Sequence, residues 1–205
     1  MKKTFALVAA TGAVFAALAA GIYSYSTAGQ PASDTKAVQP SVTANAKPAS
    51  TPAGPVTVIG TYFSMEYSDT DEPHANSGYS LDLYKQGNVV FGAIGIADGS
   101  LEPSQASIYD VIYNEEQKTI SFKAKYSDGS EFVGDKEREA RVQLTFSGKI
   151  DKDQIKGTVT KLDAYTHEPR EEPELAVIPK SDGEPDVPTS FDEWDKSHSH
   201  PIPKW

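Results

Sequence analysis

Cysteine is missing from the 205 residues. A disulfide framework, a thiol nucleophile and a thiolate metal site are therefore all excluded. Cations are scarce: 19 Lys and Arg stand against 29 Asp and Glu, a net charge of -10. Nucleic-acid binding needs clustered Lys and Arg to neutralise phosphates, so nucleic acid is set aside as a partner and cationic partners are admitted. Tryptophan occurs only as Trp194 and Trp205, both near the C-terminal end. Beyond residue 55 no stretch carries a 3.6-residue apolar period, so few helices are expected. Enzyme signatures are also lacking. There is no Gly-x-Ser-x-Gly, no His-Glu-x-x-His and no phosphate loop, and the reading is of a protein that is not an enzyme and holds no cofactor.

One long apolar run is present, from Phe5 to Ile22, behind Lys2 and Lys3. Met1–Ala28 reads as an export signal, with small residues at cleavage spacing in Ser26-Thr27-Ala28 and in Ala17-Leu18-Ala19. The alternative is an uncleaved anchor, since about 18 residues just span a bilayer and the two lysines would hold the N-terminus in the cytoplasm. Leu18-Ala19-Ala20-Gly21 resembles the start of a bacterial lipoprotein box, but the required cysteine is absent. Either way the rest of the chain is expected in the periplasm or outside the cell, and a membrane is expected only through this N-terminal segment. Residues 29–55, rich in Pro, Ala, Ser and Thr, read as an extended linker.

The folded part is expected over residues 56–179, as an all-β domain. Strand patterns fall at Val56–Glu66, Gly78–Lys85, Asn88–Ile96, Ala106–Asn114, Lys118–Tyr126, Arg138–Gly148, Asp153–Leu162 and Glu174–Pro179. Tyr79, Leu81 and Leu83 alternate with polar residues, as do Ile120, Phe122, Ala124 and Tyr126, and Val142, Leu144 and Phe146. That is the period of half-buried antiparallel strands. Gly60, Gly92, Gly95 and Gly157 sit inside strands, where glycine marks a bend, a bulge or a close approach. Eight sequential strands with short turns predict a small antiparallel up-and-down β-barrel, with a β-sandwich as the alternative. In layout alone the pattern resembles lipocalin- and avidin-type barrels. No motif of either family is present, and no residue role carries over.

Connections alternate long and short, so in a meander the long ones share one end. The long connections are Glu66–Ser77, Ala97–Gln105, Ser127–Arg138 and Asp163–Pro173, and they hold most of the acid. Glu66, Asp69, Asp71, Glu72, Asp98, Glu102, Glu171 and Glu172, with His74 and His167, form the candidate binding rim. Such a one-sided field would draw cations, although exposed loops of an acidic protein are also acidic without any function. A second expectation concerns packing. The third and fourth strands are apolar on both faces, which predicts an outer patch of Phe91, Tyr109 and Val111 that something must cover. Residues 180–205 read as a polar tail whose Phe191, Trp194 and Trp205 either cover that patch or serve as a recognition motif. His198 and His200 lack companion carboxylates, so no metal site is expected.

These features predict an exported, non-catalytic binding module whose acidic end takes a small ligand or a cationic protein. Two alternatives stand beside it: a membrane-tethered structural or interaction protein using its aromatic tail, and a small outer-membrane barrel.

Overall fold

A computed structural model describes residues 52–69, 74–197 and 201–205. The export segment, most of the linker, Asp71, Glu72, His198 and His200 lie outside the described residues. The elements are β1 (Val56–Phe63), β2 (Glu66–Tyr67), β3 (Ala75–Gln86), β4 (Val89–Ala97), β5 (Ser104–Asn114), β6 (Thr119–Val133), β7 (Lys136–Ile150), β8 (Gln154–Asp163), β9 (Glu174–Pro179) and α1 (Phe191–Ser197). β2 adds to the beginning of β3. The other strands pair antiparallel with their sequence neighbours in the order β1-β3-β4-β5-β6-β7-β8-β9. After β9 the chain comes back to β1: Tyr62 bridges Lys180, and the Ser181 amide donates to the Thr61 carbonyl at 2.8 Å. The result is a nearly closed eight-stranded barrel, as the period-two patterns predict, and not a sandwich.

The alternating residues face as their period requires. Leu81, Leu83, Ile120, Phe122, Val142, Leu144, Phe146 and Ile155 are buried inside, and each contributes about 1.5–3 kcal/mol relative to exposure. Phe122 and Phe146 stack at 5.1 Å, so the lumen is a packed core. Glycine makes room for this packing. Gly148 and Gly157 face each other across β7 and β8, and a Cβ at Gly157 would fall 2.5 Å from the tip of the Phe146 ring.

β5 departs from the expected alternation. Asp110 adopts a left-handed conformation (φ 52), and the pairing with β6 slips between Tyr109 and Ile112. Lys123 holds the Asp110 carboxylate at 3.0 Å. A bulge of this kind reverses the phase of the residues after it. Val111 is therefore buried in the interior core, while Ile112 turns outward. The expectation that Val111 belongs to an outer patch is corrected on this ground. Tyr109 lies outside, 6.0 Å from the Lys125 ammonium, which is itself 5.2 Å from the ring of Trp205.

Phe91 is covered by the chain's own tail. With Tyr84, Val89 and Ala93 it forms an outer cluster that is closed by Trp194 and Phe191. The two rings stand 5.3 and 5.2 Å from the Phe91 ring. α1 forms here because its start is capped. The Ser190 hydroxyl accepts the Glu193 amide at 3.1 Å, and the Glu193 carboxylate accepts the Thr189 amide at 2.9 Å, a variant of the capping box. The buried side chain of Gln86 then ties both ends of the domain together. Its Oε1 accepts the Phe191 amide, and its Nε2 donates to the Gly54 carbonyl, both at 2.8 Å.

Candidate functional site

Sequential antiparallel pairing places the connections β1–β3, β4–β5, β6–β7 and β8–β9 at one end of the barrel. The third of these is not the loop that the sequence suggests. β6 and β7 continue as a ribbon that closes at Gly134 and Asp135, with Val133 paired to Lys136. Ser127-Asp128-Gly129-Ser130 has the composition of a turn, but it forms a bulge, with the register shifting between Ser127 and Ser130 and Gly129 at φ 70.

That bulge turns Asp128 toward the neighbouring connections. Asp128 shares a hydrogen bond with Asp98, and two carboxyls can share one only through a proton. The bond holds the Asp98 pKa below its ordinary value, helped by the Ser100 hydroxyl at 2.7 Å. It pushes Asp128 up to about 6, with burial and the Asp98 charge acting in the same sense. Arg170 approaches Asp128 at 3.7 Å and Glu131 at 3.1 Å. Glu131 also accepts from Arg138 at 2.6 Å, and Arg138 reaches Asp163 at 3.3 Å. Asp163 caps its own turn through the amides of Tyr165 and Thr166, and these bonds lower its pKa. Beneath the network two core tyrosines mark the mouth of the barrel. Tyr79 donates to Glu174 at 2.7 Å, and its pKa is raised by burial first and by that bond second. Tyr126 is raised by burial and then by the charge of Asp128.

Of the described rim residues named from sequence, Asp98 enters this network and Glu171 lies beside it, paired with Lys161 at 2.7 Å. Glu66, Asp69, Glu102 and Glu172 stand exposed. His74 is half-buried, its amide donating to the Ser68 hydroxyl at 2.9 Å. His167 occupies a left-handed turn position (φ 61) on a different connection. Asp128, Glu131, Arg138 and Arg170 were missed as a group. Charge counting treated the two arginines as partial neutralisation, whereas they join the third and fourth connections to each other, and Asp128 reaches the second through Asp98.

The same end also carries exposed apolar side chains. Phe63 ends β1 beside Tyr67 of the first connection, Leu101 stands on the second, Phe132 and Val133 on the third, and Tyr165 on the fourth. Phe132 is 74% exposed, a value that rules out a packing role for it within the barrel. Fold and site thus define a small, nearly closed barrel that presents carboxylates and apolar side chains together at one pole. The chain matches no known protein family, no curated protein and no solved structure.

Proposed function

We propose that this chain is an exported, non-catalytic binding module that takes a basic protein surface on the loop end of its barrel. The observation that carries the proposal is that every one of the four connections at that end offers at least one exposed large apolar residue amid carboxylates. Aromatic and aliphatic anchors supply most of the energy of protein interfaces, while surrounding charge steers the encounter and selects the partner. A packed lumen counts against a small ligand held inside the barrel. Apolar residues inside and Lys, Gln and Thr outside on β6 and β7 are the reverse of a lipid-facing barrel. Phe191 and Trp194 are occupied by Phe91, which counts against the tail as the primary recognition element.

Site-directed photo-crosslinking in the producing cell tests this reading. A benzophenone side chain placed at Phe132 or Leu101 is expected to capture one or a few proteins of high pI. The same group at Ile112 or Val177, on the barrel wall, is expected to capture none of them. Equal capture from wall and rim, or acidic adducts from the rim, would exclude the proposal.

A further inference from the structure

The opposite pole, where the three short turns lie, holds a cavity of about 790 Å³. That is within the range of small-molecule sites, roughly 300–1,000 Å³. Its floor is apolar: Ile59 from β1, Tyr113 from β5 and Ile150 from β7 converge there and rest against the sealed core. All three short turns supply its rim, with Gly87 from the first, Glu115 and Lys118 from the second, and Asp151 and Lys152 from the third. The floor is braced, because the Ile150 amide donates to the Lys118 carbonyl at 2.7 Å and the Asp151 amide to the Gln154 carbonyl at 2.8 Å.

Charge at this rim runs against the rest of the molecule. Lys85, Lys118 and Lys152 line the cavity with only Glu115 and Asp151 to oppose them, in a chain whose net charge is -10. Glu115 engages Lys85 at 2.6 Å. A ligand with an aliphatic body would bury it on Ile59, Tyr113 and Ile150, where the gain follows apolar area removed from water. An anionic head at the rim would meet Lys118 and Lys152, and a cationic head would be repelled. We infer that the short-turn pole is a second binding site, for an amphipathic carboxylate of medium chain length, at the end of the barrel away from the proposed protein-binding surface.

Methyl NMR on the full-length chain, labelled at isoleucine δ1, tests this with sodium decanoate below its micellar concentration. Decanoate is expected to shift the Ile59 and Ile150 methyls saturably, while decyltrimethylammonium leaves them in place. Lys152→Glu is expected to weaken decanoate at least tenfold with the remaining methyl spectrum unchanged, and Lys118→Glu serves as an independent second variant. The inference is overturned by any of four results: no saturable shift at these two methyls, an equal response to the cationic amphiphile, affinity unaltered in both folded variants, or larger shifts at methyls remote from the pole. A response centred on Ile112 would assign decanoate to the outer wall and count against the site equally.

Discussion

Phe146 sits where it does because two facing residues have no side chain. Gly148 and Gly157 leave the space that its ring fills, so added volume has nowhere to go without moving a ring already stacked on Phe122. Gly157→Ala is expected to cost about 1–3 kcal/mol, the usual penalty for overpacking a tight core, as a lowered urea midpoint with an unchanged slope. A second residue-scale prediction concerns Asp128. Folding raises its pKa from 3.8 to about 6. Its contribution to stability is therefore complete below the unfolded value and is lost as pH rises through about 6. Asp98, whose pKa is lowered, acts oppositely: its contribution is present above the ordinary carboxylate range and fades as pH falls through its depressed value. Asp128→Asn keeps a hydrogen bond to Asp98 without titrating. The variant is expected to lose less stability than the natural chain between pH 5 and pH 8, measured by urea unfolding at each pH. Parallel losses would mean that the two carboxyls do not share a proton.

Among the elements, the strands were legible and their irregularities were not. Alternation in Tyr79–Leu83, Ile120–Tyr126 and Val142–Phe146 disclosed which faces are buried, because a period of two has one physical cause. The bulges at Asp110 and at Ser127–Ser130 were hidden: Asp110 sits within a run that reads as one regular strand, and Ser, Asp and Gly at 127–130 read equally well as a turn. Unbroken alternation through Asp110 misplaced Val111, and the turn-like composition of 127–130 made a ribbon look like a loop. α1 escaped notice because seven residues are too few to show a period, although Ser190 and Glu193 stand at capping-box spacing. Phe91 was visible as an unpaired outer residue, and its cover proved to be Trp194. Trp194→Ala is expected to release α1 and lower stability by about 1.5–3 kcal/mol, the range for uncovering one large side chain. Hydrogen exchange should then accelerate across residues 191–197 while β6 and β7 stay protected. Uniform acceleration through the barrel would instead make the tail part of the folding unit.

For the molecule as a whole, the sequence indicated the pole before it indicated the site. Sequential pairing alone gathers the long connections on one side, and that needed no tertiary information. The network of Asp98, Asp128, Arg170, Glu131 and Arg138 depended on a bulge and on contacts between distant segments, so no spacing could announce it. The separation of charge between the poles has a kinetic consequence. Association of a basic protein with the loop end should slow as ionic strength rises, because the Debye length shrinks from about 10 Å at 0.1 M to about 3 Å at 1 M. Phe132→Ser with Val133→Ser should leave stability within about 0.5 kcal/mol, as for exposed positions generally, and should hasten dissociation of the partner without altering that salt dependence. Stopped-flow binding at several salt concentrations separates the two effects.

The seam between β1 and β9 is the least secured line in the wall, joined through the bridge of Tyr62 with Lys180 and the bond from Ser181 to Thr61. Stress applied to this barrel would therefore part it there first and unroll it into an open sheet with two bare margins. In crowded solution those margins would find the matching ones of another molecule, so exchange of terminal strands between copies is the failure to guard against in storage and concentration.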